Sequence, residues 1–423
     1  MKNRLKAAFS YKHLNWVLLD QVVVSGANFA TTIIVARFLG VDGFGYFSLA
    51  WMAVLFMSGI QAALIISPMM SIEPKIEAIQ KKSYYGVVFL QQFLLALFIA
   101  FSIYICLKIS AYFFHDWGGR LALELAVASF FFLAHDFIRR FFFVRLEFKK
   151  VFLNDILRYI GQLFLLLILF ANGYTTVEMA LWVVTGASAV AWFIALIKIE
   201  ELTLNWPYFL LTLRRHWLMS KWLVGSAVVQ WSAGNVFVLL AAAMIGVSAA
   251  GGLKAMQNLL GVFNVLFSAL ENIIPVRASE IYSNGGKKML VHYLLKVAIL
   301  GGGATLACMT FIMVAPSFWI ELVYGELYLG YENILIGYGV VYVFTFISLI
   351  YRIAFRTIEY TRPIFQAYFF SAILSFIIVY PLISVFGANG VVVGLILVQI
   401  AILMLYVLIS KRKKLFDVGQ LRF

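Results

Sequence analysis

The chain has 423 residues, of which 64% are hydrophobic and only 12% charged, with a formal net charge of +14 and a mean hydropathy of +0.96. This excludes an ordinary soluble domain, in which roughly a quarter of the residues are charged. The positive excess does not indicate nucleic acid: 27 of the 33 Lys and Arg residues fall in every second gap between apolar runs or at the edges of those gaps, the sorting that orients membrane proteins.

A spanning helix needs about 20 mainly apolar residues. Twelve runs qualify, at 14–36, 46–67, 84–107, 121–138, 151–171, 175–197, 218–243, 253–276, 291–314, 332–352, 364–386 and 388–410. Basic gaps belong on the cytoplasmic side, next to anionic inner-leaflet lipid, so both termini are expected inside. The first run follows Lys2, Arg4 and Lys6 as a signal peptide would, yet it is long and carries Asp20, Gln21 and Asn28. It reads as an uncleaved span ending near Arg37.

The fourth run is the shortest and holds His135 and Asp136. In the fifth, Asp155 and Arg158 are three residues apart on one helix face, which fits an internal ion pair as well as a substrate contact. The segment 198–217 has Pro207 suited to a helix first turn, then Leu210, Leu211, Leu213 and Trp217 beside Arg214 and Arg215. That pattern fits an interfacial amphipathic helix or a plain linker. The later runs carry Asn235, then Lys254 and Glu271, then Lys296, and the chain closes on a basic tail. Cys106 and Cys308 lie in runs, without disulfide or metal-binding spacing.

The chain repeats itself at half its length. ARFLGVDGFGYF aligns with AAMIGVSAAGGL, pairing Gly40 with Gly246, and Pro68 pairs with Pro275. RFFFVRLEFKKVFLN aligns with RIAFRTIEYTRPIFQ, pairing Arg140 with Arg352 and Glu147 with Glu359, and Asn172–Gly173 matches Asn389–Gly390. Six spans per copy is an even number, so the copies are parallel repeats. The predicted fold is an all-α polytopic membrane protein, with two six-helix bundles around a central cavity. Residues 1–197 form the first bundle, 198–217 the cytoplasmic linker, and 218–423 the second bundle and tail.

The N-terminal stretch VVVSGANFATTIIVARFLGVDGFGYFSLA, the duplicated Arg/Glu/basic loops and the segment IELVYGELYLGYENILIGY carry a family resemblance. On these residues the chain resembles the multidrug/oligosaccharidyl-lipid/polysaccharide (MOP) flippase superfamily, and within it the O-antigen and polysaccharide repeat-unit translocases. The resemblance implies a transporter of the bacterial inner membrane that rocks between two states. It implies transfer of a polyprenyl-pyrophosphate-linked oligosaccharide from the inner to the outer leaflet, with lipid and other polysaccharide-assembly proteins as partners.

An ionisable group at the membrane centre costs about 2.5–3.5 kcal/mol on insertion scales, so it tends to face water or a partner. For a pyrophosphate headgroup, Arg158 and Lys296 are the inner-half cations and Arg37 and Lys254 the outer-half pair, with Asn28 and Asn235 among the neutral lining. Asp20, Glu271 and Asp136 are the candidates to carry a coupled proton or sodium ion. Arg37, Lys254 and Asp136 fit snorkelling to their interfaces equally well, and the neutral residues fit hydrogen bonding between helices, whereas Asp20, Glu271 and Lys296 lie farther from a predicted end. No catalytic residue, metal or cofactor is implied. Two other functions stay open: a drug/cation antiporter, which needs an acidic cavity, and a membrane glycan polymerase or ligase, which needs a sizeable outer loop.

Overall fold

The computed structural model describes residues 11–114, 117–199 and 202–412; the basic tail expected beyond Arg412 lies outside the described residues. All regular structure among them is helical. Lipid dictates this outcome, because a lone spanning segment satisfies its own backbone groups only as a helix.

Helix α1, Tyr11–Gln61, passes through a π turn at Ala62–Ile66 into α2, Ser67–Ile72. It is followed by α3 (Ala78–Phe114), α4 (Ala122–Val144) and α5 (Phe148–Asp155). A second π turn, Ile156–Ile160, leads into α6 (Gly161–Ala171), and α7 is Val177–Ile197. Helices α8 (Trp206–Met244), α9 (Val247–Leu259) and α10 (Val262–Val314) come next. A short α11 (Pro316–Tyr324) precedes α12 (Glu332–Thr357), α13 (Arg362–Phe386) and α14 (Ala388–Arg412). Each of the twelve expected spans falls on helix. Among the described residues, nine helical runs are long and apolar enough to cross a membrane, some of them holding two expected spans. The chain is a multi-pass membrane protein.

The repeat is visible in backbone angles. Gly40 bends α1 with φ 68° and ψ −175°, and its sequence partner Gly246 separates α8 from α9 with φ 127° and ψ 170°. Both positions use a left-handed φ that glycine adopts without steric cost. At the duplicated Arg/Glu/basic loop the structure corrects the alignment by one residue. Helix α4 closes with Leu146 at φ 62°, its N–H reaching the Phe143 carbonyl while the Glu147 N–H reaches Phe142. Helix α12 closes identically with Glu359 at φ 56°, bonded to Arg356, while Tyr360 reaches Phe355. Capping geometry therefore matches Glu147 to Tyr360, and the matched charges do not mark equivalent positions. Likewise the counterpart of Gly173 (φ 87°) is Gly387 (φ 58°), and Asn389–Gly390 lies inside α14.

The chain divides into two compact units: the described parts of Met1–Leu39 with Tyr46–Trp231, and of Gly40–Gly45 with Ser232–Phe423. In the first, Tyr84, Tyr85, Val88, Phe137, Phe141 and Phe142 are buried together with Ile65 and Met69. Phe89 meets Phe137 and Phe141 edge-on at ring separations of 4.8 and 5.0 Å. Such contacts matter because lipid tails are as apolar as the side chains, leaving dispersion and polar bonds to hold helices together. The stretch before α8 passes over Gly86, where an added Cβ would lie 2.3 Å from the Thr203 carbonyl oxygen. Asn205 then caps α8, its Oδ1 accepting the Tyr208 N–H at 3.2 Å, and Pro207 sits in the first turn. In the second unit, Gly337 admits Val392 and Gly394 admits Phe237, while Phe355 packs on Tyr406 at 5.6 Å.

Candidate functional site

Unit one contains a buried ionic network built from four helical segments. On α4, His135 and Arg139 are four residues apart and share a face. Arg139 donates from Nη2 to Asp20 Oδ2 of α1 at 2.7 Å, and from Nε to Asp155 Oδ2 at the end of α5. His135 Nε2 lies 3.5 Å from the other Asp155 oxygen. The following π turn re-aims the chain: Asp155 turns to Arg139 and His135, whereas Arg158 turns to α7, its Nε donating to Ser188 Oγ at 3.0 Å. The Arg158 guanidinium also lies 4.1 Å from the Tyr159 ring centroid and 5.0 Å from that of Phe132. Asp20, Asp155 and Arg158 are all at most 2% exposed. Two aspartates and two arginines cancel in formal charge, which is how so many ions are tolerated at depth.

Neutral polar groups brace the same unit. Gln162 Nε2 donates to Thr31 Oγ1 at 3.0 Å, tying α6 to α1. Gln61 Nε2 donates to Gln92 Oε1 at 2.9 Å and to the Leu133 carbonyl at 2.7 Å. Near the end of α2, Glu73 accepts from Lys81 and, at 2.6 Å, from the Tyr85 hydroxyl. Asp136 faces its own helix neighbour Arg140 at 3.6 Å.

Unit two holds a cation of a different kind. Lys254, about two turns into α9, donates to Gln257 Oε1 at 3.0 Å and approaches Asn235 Oδ1 of α8 at 3.4 Å. Its flanking residues Leu253, Ala255 and Met256 are fully buried. Both partners are uncharged amide oxygens, so the ammonium is hydrogen-bonded without being neutralised. Asn264 Nδ2 donates to the Tyr342 hydroxyl at 2.7 Å in the same unit.

The structure thus brings together Lys254 and Asn235, which the sequence placed in separate spans. It encloses Asp20 and Arg158 within unit one. Asn28, Arg37 and Lys296 are exposed; the Asn28 carbonyl accepts the Thr32 hydroxyl at 2.9 Å. The Glu271 side chain lies outside the described residues. Among those described, no cluster of His, Cys, Asp and Glu could hold a metal ion. Sequence reasoning missed Arg139, which falls in the basic gap just past the fourth run, and Gln61. The four-residue spacing of His135 and Arg139 was the available signal.

Residues 34–333 match the model of a family described as polysaccharide biosynthesis protein. No curated protein matches the chain. Among solved structures, one similar fold is an inward-facing multidrug resistance MATE family transporter of the MOP superfamily, at 13% identity and TM-score 0.71, covering 97% of this chain and 100% of that one. The lipid II flippase MurJ in an inward closed conformation aligns at 12% identity and TM-score 0.66, covering 95% and 88%. A MOP superfamily transporter from Pyrococcus furiosus aligns at 13% identity and TM-score 0.61, covering 96% and 95%. At these identities the likeness is one of fold.

Proposed function

The chain belongs to the polysaccharide biosynthesis protein family and has the fold of MOP superfamily transporters, and on that premise we propose that it is a flippase for a polyprenyl-pyrophosphate-linked oligosaccharide. The headgroup crosses from the cytoplasmic to the outer leaflet of the bacterial inner membrane by alternating access, while the polyprenyl tail stays in lipid. In this reading the termini are cytoplasmic, the orientation that the basic gaps support. No bond is made or broken, so no catalytic group is called for.

The observation that carries the anionic part of this reading is Lys254. A half-buried ammonium held by neutral amide oxygens has no carboxylate competing with a phosphate for it, whereas one paired to a carboxylate would. Asn235 and Gln257 orient it and offer further polar atoms to a sugar. Arg37 and Lys296, both exposed on their helices, extend the cationic set, and Asn28 adds a neutral polar group. Arg158 serves from behind, bracing the π turn to α7 through Ser188.

A drug/cation antiporter would need an acid free to meet organic cations. Asp20 and Asp155 are held by Arg139, and Asp136 by Arg140, which argues against that use and against Asp20 or Asp136 carrying a coupled ion. The test is reconstitution into vesicles with polyprenyl-pyrophosphate-linked oligosaccharide in the membrane. A membrane-impermeant glycan-modifying enzyme outside should gain access to glycans from the inner leaflet only when the protein is present. Access unchanged from protein-free vesicles, with organic-cation flux instead, would replace this reading by the antiporter.

A further inference from the structure

The two repeats meet at their own equivalent glycines. The motif GVxxxG occurs at Gly40–Gly45 and again at Gly246–Gly251, 206 residues later. In each copy the first glycine makes the turn described above and the second lies in the opening turns of the next helix. Those helices cross reciprocally within unit two. A Cβ added at Gly45 would sit 2.3 Å from the Val247 carbonyl oxygen, and one added at Gly251 would sit 2.1 Å from that of Val41. Only glycine leaves room on both sides, so each backbone carbonyl rests on the opposing glycine's Cα, as in small-residue helix crossings in membranes.

A strap closes over the crossing. Between α11 and α12, the Tyr328 hydroxyl donates to the Gly40 carbonyl and the Tyr331 hydroxyl to the Ser248 carbonyl, each at 3.1 Å. One short segment thereby binds both turns. Burial, with Asp42 nearby, pushes both phenols above their ordinary value, so they stay protonated donors near neutral pH. Phe44, 1% exposed, meets the Tyr328 ring edge-on at 6.5 Å.

Building on the flippase reading, we propose that this Gly45–Val247 and Gly251–Val41 crossing, strapped by Tyr328 and Tyr331, is the outer gate, which must part for the headgroup to leave. The pseudo-symmetry matters to the argument: the contact involves a turn of each repeat, so a rearrangement that moves one repeat against the other acts on it directly. The two tyrosine bonds supply the restoring force.

The test uses Val41→Cys with Val247→Cys, in protein whose exposed Cys106 and Cys308 are replaced by serine. A reducible bismaleimide across the pair should lower glycan translocation about tenfold, with recovery on reduction showing that the fold survived. As a second probe, Ser248→Cys should react with an external impermeant thiol reagent more slowly in cross-linked protein than in free protein. Cross-linked protein that translocates at the unlinked rate overturns the gate and leaves the flippase standing. Unlinked protein that moves no lipid-linked glycan, while Ser248→Cys reactivity still follows cross-linking, overturns the substrate reading and supports the gate.

Discussion

Ser220 of α8 donates its hydroxyl to the backbone carbonyl of Leu64 at 3.2 Å. That carbonyl is the one Pro68, four residues on, cannot serve, since proline has no N–H. The chain widens there into the π turn Ala62–Ile66, and a side chain from another helix meets the freed group. Ser220→Ala should therefore lower stability by about 0.5–1.5 kcal/mol, read as a lower melting temperature in detergent. In a Pro68→Ala background, where an α-helical donor returns, the same change should cost much less. Equal losses in both backgrounds would separate Ser220 from the proline.

The Arg139 bridge makes a second, larger prediction. Asp20→Ala leaves a buried guanidinium with one carboxylate in place of two, and breaking a buried pair costs about 3–5 kcal/mol. Asp20→Asn, which retains an oxygen acceptor, should cost less. If Asp20 is structural, Asp20→Asn protein that folds will translocate with its dependence on proton or sodium gradients intact. Normal melting combined with a lost gradient dependence would make Asp20 the coupling group after all.

The same network shows what the sequence could and could not reveal. Apolar runs, basic gaps and the paired glycines at 40 and 246 report on single segments or on local backbone, so helices, turns and duplication were legible. The partner of Asp20 was not, because Arg139 lies 119 residues away and close to a run of basic residues that hydropathy assigns to the interface. The split of Asp155 from Arg158 was also hidden. Three-residue spacing predicts a shared face only in regular α-helix, and nothing in ILRYI announces a π turn. Lys254 and Asn235 stand out in the sequence as polar positions in apolar runs; their meeting at 3.4 Å depends on how α9 packs against α8.

At Lys254 the expected outcome is functional. Replacing it by Met removes one charge-assisted contact, worth about 1.5–3 kcal/mol, so translocation should fall by roughly 10- to 100-fold. Melting should be unchanged or higher, since a half-buried charge without a counter-ion is removed. Lys254→Arg should retain part of the activity. Wild-type translocation by Lys254→Met protein would take this residue out of the substrate pathway.

Arg158 and Lys296, alike as cations inside apolar runs, should diverge under the same truncation. Lys296 is exposed on α10, so Lys296→Ala should leave melting within error while slowing translocation. Arg158 is 1% exposed, stacked on Tyr159 and Phe132 and bonded to Ser188, so Arg158→Ala forfeits a desolvated cation–π contact and a charged hydrogen bond. The combined loss is on the order of 3 kcal/mol, visible as lower melting and lower yield. Ser188→Ala should reproduce a fraction of it, because it removes only the acceptor. An Arg158→Ala protein as stable as the parent but inactive would reverse the assignment, placing Arg158 against the substrate.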